Sequence, residues 1–182
     1  MSSICYVCEQ TVVPASGYSQ ASVLIIGEFP GPLELKYGRP FVATSKIPSA
    51  GSVLRQEFIR LGVDVGRFRM CNLWYHEPPK RTGKKEVKQR YEDCFNASKT
   101  ACLEEAKGKD AILLIGSECV EFFTGYKVNM VTGLQVESNM LSAPTIYACI
   151  QPASALKPKG VVGEVRFAIE NFTNHVLKER LI

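Results

Sequence analysis

Val23-Leu24-Ile25-Ile26-Gly27-Glu28-Phe29-Pro30-Gly31 decides the fold, because four apolar residues in succession run straight into a Gly/Pro turn. A buried strand that ends this way releases backbone N–H groups into a crevice, where they can grip a phosphate or the edge of a base. Three further apolar runs, about 68–74, 111–115 and 144–150, are rich in β-branched residues and bounded by turn signals, so they read as strands beside the first at about 22–27. Helical patterns lie between them. Leu54, Phe58 and Leu61 recur at i, i+4 and i+7, and Val87, Tyr91, Cys94, Phe95, Ser98 and Cys102 mark one face of a longer helix. Alternation of strand and helix implies a parallel sheet with both faces covered. The expectation is therefore an α/β fold: three-layer α/β/α with a central four-stranded parallel sheet.

Val165, Ala168, Ile169, Phe172 and Val176 form one stripe and predict a closing helix laid on that sheet. Segments 41–51 and 76–86 carry Pro48 and Gly51, then Pro78, Pro79 and Gly83, and read as loops. Residues 126–140, with Val128, Met130 and a Thr132-Gly133 turn before Leu134 and Val136, read as a small hairpin at the sheet's edge.

A chain of 182 residues with 46% hydrophobic content suits a single domain spanning 1–182. No apolar stretch approaches the ~20 residues needed to span a bilayer, and Met1-Ser2-Ser3 lacks the layout of a secretion signal. A cytoplasmic, monomeric protein without a membrane partner is expected. The net charge of +4 is too small to establish a polyanionic partner, yet Lys80, Arg81, Lys84, Lys85, Lys88 and Arg90 crowd one stretch. That run is either a solvated face or a patch that steers DNA. Seven cysteines, an odd number, argue against a disulfide framework in a reducing compartment. Cys5-x-x-Cys8 has the spacing with which two thiolates reach one metal. Cys102, Cys119 and Cys149 lie on apolar faces, and Cys71 points away from Asn72 by strand alternation, so these four read as core.

The turn after the first strand continues to Glu34, Gly38, Pro40 and Phe41, and the second strand ends in Asn72 ahead of Pro78-Pro79. The third, Ile112-Leu113-Leu114-Ile115, ends in Gly116, and the fourth leads into Ile150-Gln151-Pro152-Ala153-Ser154-Ala155-Leu156. In this order the segments resemble the uracil-DNA glycosylase superfamily, and most of all its iron-sulfur, family-4 branch. The resemblance implies a DNA glycosylase that swings uracil or a related 5-substituted pyrimidine out of the helix and hydrolyses its N-glycosidic bond. In that scheme Phe41 stacks on the base, and Asn72 offers the acceptor and donor that uracil's N3–H and O4 require. Gly27, Phe29 and Gly31 complete the base site, with backbone N–H groups near the base oxygen. Glu28 and Glu34 are candidates to orient water or stabilise the sugar cation. Either is equally readable as a helix-capping or surface carboxylate.

Several residues depart from that pattern. Gln151 stands where the family usually has a histidine that donates to the departing base; an amide also donates, but losing one such donor costs roughly 10²–10³ in rate. Gln151 therefore implies slowed, redirected or absent catalysis, and two alternatives stand beside excision: DNA base modification, or a non-catalytic DNA-binding module. Phe29 is bulky where a small residue is usual, Leu35 replaces a carboxylate, and Thr44-Ser45-Lys46-Ile47-Pro48-Ser49 resembles an insertion. For the metal, the resemblance implies a 4Fe-4S cluster on Cys5, Cys8, His76 and Cys94, with His76 where cysteine is usual. Three thiolates and one imidazole equally suit zinc. Contacts to DNA are expected from Ser154 and Lys157 on phosphates, Leu156 as a wedge, the Gly116-Ser117 helix start, and Lys80 and Arg81.

Overall fold

The computed structural model describes residues 4–79, 85–157 and 160–182. Among these the sheet is built from β1 (Ser16–Gly17), β2 (Val23–Gly27), β3 (Arg69–Asn72), β4 (Ala111–Ile115) and β5 (Thr145–Cys149), in the order β1-β3-β2-β4-β5. Every residue of β2 and of β4 is buried, as their unbroken apolar sequence requires of central strands. β2 pairs in parallel with β3 and β4, and β4 with β5, so that Ile25 lies between Met70 and Leu113. The four strands read from the sequence thus form the parallel part. The expected four-stranded parallel sheet needs one correction, because β1 adds a fifth strand antiparallel to β3 and makes the sheet mixed. Ser16-Gly17 carries no apolar signal; what fixes it is close backbone approach, since Gly17 has φ +92 and a Cβ there would lie 2.1 Å from the Phe68 carbonyl oxygen.

Alternate residues divide the core between the two faces of the sheet. Leu24, Ile26, Ile112 and Leu114 pack with Cys94 and Cys102 of α3 (Lys85–Ala106) and Cys119 and Phe123 of α4 (Ser117–Thr124). Val23, Ile25, Leu113 and Ile115 pack on the other face with Leu54 and Phe58 of α2 (Ala50–Arg60) and the Val165 to Val176 stripe of α6 (Val162–Lys178). Cys71, Cys102, Cys119 and Cys149 are all buried in these clusters. Glu57 joins the two helices of the second face, accepting from Arg60 Nε at 2.8 Å on α2 and from Arg166 Nη2 at 3.1 Å on α6.

Residues 126–140 do not form the expected hairpin. Val128–Val131 wind into one short helix, α5, and the chain then meets β5 only through bridges of Thr132 to Ala148 and Gln135 to Tyr147. In a strand Val128 and Met130 share a face; in the helix they separate, leaving Val128 against the core and Met130 exposed. The two loops also end earlier than read, because Ser49 caps α2 and accepts from Ser52 N–H, and residue 85 already belongs to α3. A further helix, α1 (Pro32–Tyr37), buries no residue and so leaves no apolar stripe in the sequence. Among the described residues no helix is long and apolar enough to cross a membrane.

Candidate functional site

The carboxyl ends of β2 and β3, together with the turn after β5, open onto one cavity of about 470 Å³. This is where parallel sheets place their ligands, because the strand ends release unpaired backbone groups there. Gly27, Glu28, Phe29, Gly31, Glu34, Phe41, Asn72 and Gln151 all line it, so the candidate catalytic and base-binding residues share one wall system. Gly27 and Asn72 meet because they are register partners at the ends of β2 and β3. A Cβ on Gly27 would lie 2.3 Å from Asn72 Oδ1 and 2.8 Å from Phe41 Cζ. Glycine at this position is therefore what lets the amide and the aromatic ring close on the strand end.

Phe41 is held in an unusual conformation, with φ of +49 on a bulky residue. Such strain costs about 1–3 kcal/mol and persists only where the surroundings over-determine it. Here Glu34 Oε1 accepts from Phe41 N–H, and Gly51 at the start of α2 packs so closely that a Cβ there would lie 2.3 Å from the Phe41 carbonyl oxygen. Glu34 Oε2 closes the first turn of α1 by accepting from Gly31 N–H at 2.9 Å, and also accepts from Asn72 Nδ2 at 3.5 Å. One carboxylate thus fixes the helix start, the strained ring and the amide. Burial raises the Glu34 carboxyl above its ordinary value, partly offset by the Gly31 and Phe41 N–H groups and by Asn72.

Glu28 is also fully engaged. Its Oε1 accepts from Glu118 N–H at 2.7 Å in the first turn of α4, and its Oε2 from Gln151 Nε2 at 3.3 Å. Gly116, at φ +95, clears the space, since a Cβ there would lie 2.4 Å from Glu28 Cδ. Burial pushes the Glu28 carboxyl up; the Glu118 N–H and the Gln151 amide lower it, and the Glu118 charge adds to the rise. Because an ionised carboxylate only accepts, the Gln151 amide nitrogen turns toward it, and Oε1 of Gln151 is left buried without a partner among the described residues.

The metal candidates also come together. One ligand atom from each of Cys5, Cys8, His76 and Cys94 lies within 4.8 Å of every other, with Cys5 Sγ 3.9 Å from Cys94 Sγ and Cys8 Sγ 3.7 Å from His76 Nε2. His76 Nδ1 donates to the Glu77 carbonyl at 2.8 Å, which fixes the tautomer and aims Nε2 at the thiols. Burial raises Cys5, but the N–H groups of Val7 and Cys8 more than offset it and hold this thiol below its ordinary value; burial and the neighbouring Cys8 push Cys94 up. Three sulfurs and one imidazole can hold a metal. Those two separations are near the ~3.8 Å edge of a tetrahedron around one ion at zinc–sulfur distance, within a set that spans up to 4.8 Å.

Of the candidate DNA contacts, Leu156 and Lys157 are exposed and Ser154 half-buried on a 3-10 turn, Pro152–Leu156, that reaches the cavity through Ala153. Gly116 is buried under Glu28, which already occupies the α4 start, while Ser117 is exposed beside it. Lys80, Arg81 and Lys84 lie outside the described residues; Lys88 and Arg90 are exposed on α3. Two features escaped the sequence reading. Ile47 and Pro48 line the cavity, Ile47 being 53% exposed, and the signal was an isoleucine directly after the polar run Thr44-Ser45-Lys46. Glu118 accepts from Trp74 Nε1 at 3.1 Å and from Tyr91 OH at 3.5 Å, linking the metal loop to Glu28, and nothing in its spacing announces that.

Fold and site together define an α/β protein with a strand-end cavity and a Cys/His cluster that could hold a metal. No protein-family model matches the chain. It is similar to the type-4 uracil-DNA glycosylase of Pyrobaculum aerophilum, at 37% identity over 70 residues, which are 38% of this chain and 33% of that relative's length.

Proposed function

We propose that this chain is a DNA glycosylase-like protein that receives a pyrimidine swung out of DNA and hydrolyses its N-glycosidic bond. The convergence of Gly27, Phe41, Asn72 and Gln151 on one cavity carries this reading, and the partial similarity to a type-4 uracil-DNA glycosylase supports it. Asn72 gives one amide hydrogen to Glu34, which leaves its second N–H and its carbonyl for O4 and N3–H of the base. The Phe41 ring supplies the stacking face. Backbone N–H groups at 28 and 29 stabilise the base oxygen as the bond breaks, since Pro30 has no N–H and that of Gly31 is given to Glu34. Glu28 and Glu34 serve as positioning residues, since each carboxylate already accepts from neighbouring donors. DNA is the partner in this reading, gripped by Ser154, Leu156, Lys157 and the basic run from Lys80.

The metal centre ties the N-terminal segment to the loop after β3. The family resemblance supports a 4Fe-4S cluster there and the ligand spacing supports zinc; iron, sulfide and zinc analysis with a visible spectrum separates them, the cluster absorbing broadly near ~400 nm.

Single-turnover assays on uracil-containing single- and double-stranded oligonucleotides test the function. Excision above background that Asn72→Ala abolishes, with bulk DNA affinity retained, supports it. One observation favours a second reading, base modification or binding without cleavage: the Gln151 amide is turned to Glu28, away from a donor role. If that is what limits turnover, Gln151→His raises excision by tenfold or more on the scale of one donor. Tight base-dependent binding with no cleavage by either protein favours the second reading.

A further inference from the structure

Much of the hydrogen-bonding capacity lining the cavity is already committed to neighbouring groups. Both oxygens of Glu34 accept from Gly31, Phe41 and Asn72, and both of Glu28 from Glu118 and Gln151. Gln151 Oε1 is without a partner among the described residues but buried, and Asn72 keeps one amide N–H and its carbonyl to read a polar edge. The rest of the lining is largely apolar: Pro32, Leu33, Val42, Ile47, Pro48 and Ala153. At about 470 Å³ the space falls in the ~300–1,000 Å³ range of sites that enclose drug-sized ligands, well beyond one six-membered ring. In its lining Ile47 is 53% and Phe29 43% exposed, so apolar surface there leaves water only when something covers it.

We infer that the cavity takes a pyrimidine enlarged at ring carbon 5 by an apolar group larger than the thymine methyl, in preference to bare uracil. This rests on the base-binding reading above. Carbon 5 neighbours carbon 4, so once Asn72 holds O4 and N3–H a substituent leaves the ring beside the held edge and enters the apolar part of the cavity. A bare uracil satisfies Asn72 but leaves Leu33, Ile47 and Phe29 wet. Each methylene buried there strengthens binding about fourfold.

The test measures binding rather than turnover. Fluorescence anisotropy compares single-stranded oligonucleotides of one sequence carrying uracil, thymine, 5-propynyluracil or an abasic site. The expected result is 5-propynyluracil bound at least about tenfold more tightly than uracil, with thymine between. Ile47→Ala, which trims the apolar lining without adding charge near the DNA backbone, is expected to lower the ratio of 5-propynyluracil to uracil affinity at least about threefold, the ratio and not the absolute affinity being the readout. Uracil bound as tightly as 5-propynyluracil, or a ratio that Ile47→Ala and Leu33→Ala both leave intact, overturns the inference and leaves the base-binding reading standing. Equal affinity for all four oligonucleotides, the abasic one included, overturns the base-binding reading itself.

Discussion

At Gly27 the missing side chain does structural work that any other residue would undo. Its Cα is the floor on which the Asn72 amide and the Phe41 ring meet, and even a methyl group there overlaps both. Both neighbours are already pinned by Glu34, and Phe41 is in addition locked in a left-handed conformation, so neither can retreat cheaply. Gly27→Ala is accordingly expected to cost about 1–3 kcal/mol in urea unfolding, the usual scale of overpacking, and to abolish base-dependent binding. Unchanged stability together with unchanged base preference would show that Asn72 and Phe41 do not form the wall described.

Elements show where chemistry written in the chain was legible and where it was not. β2 and β4 stood out because strands in the middle of a sheet need apolar residues at every position, β3 and β5 because their apolar runs are bounded by turn signals, and α6 because its stripe faces a sheet. β1 was invisible because two residues paired by backbone alone carry no pattern. α1 was missed because it buries nothing, although Pro32 at its start, Glu34 reaching back to Gly31 and the left-handed Gly38 at its end are all start and stop signals. In the cavity, the family resemblance pointed to Gly27, Phe41 and Asn72, whereas the engagement of Glu28 and Glu34 depends on neighbours brought in by α4 and by the 38–41 loop. Between α2 and α6, Glu57 makes a testable contribution. Burial opposes its charge, but Arg166 and Arg60 more than offset that, and the carboxyl is held below its ordinary value. A depressed folded pKa stabilises the native state above the unfolded value of about 4.3, and the gain is lost as pH falls through the folded one. Glu57→Gln is expected to be less stable than the parent at pH 7, with the gap closing below about pH 4. Glu28 and Glu34 are shifted the opposite way and titrate in both proteins, so the difference between the two unfolding curves is the readout. A gap that does not change with pH would contradict this assignment.

For the whole molecule, the candidate metal ligands bring together three distant parts of the chain: the Cys5–Cys8 turn, the loop holding His76, and α3 at Cys94. The same N-terminal segment is also tied down by Val13 N–H to the Tyr75 carbonyl at 2.6 Å and by Val7 and Val12 packed on the core. Cys94→Ser, or removal of the metal by a chelator, is expected to lower Tm by at least about 4 °C, equivalent to 1–2 kcal/mol at this size, and to open the first dozen residues to proteases. Unaltered melting and protease resistance would remove the centre's structural role. The central claim is that a nucleobase leaves the helix and enters the cavity between Phe41 and Asn72. It is tested most directly by placing 2-aminopurine beside a single target pyrimidine in duplex DNA and recording its fluorescence as protein is added. The account predicts a rise with the parent protein that Asn72→Ala and Phe41→Ala each largely abolish while DNA binding persists. DNA binding without any rise, or a rise that both substitutions leave intact, would contradict it.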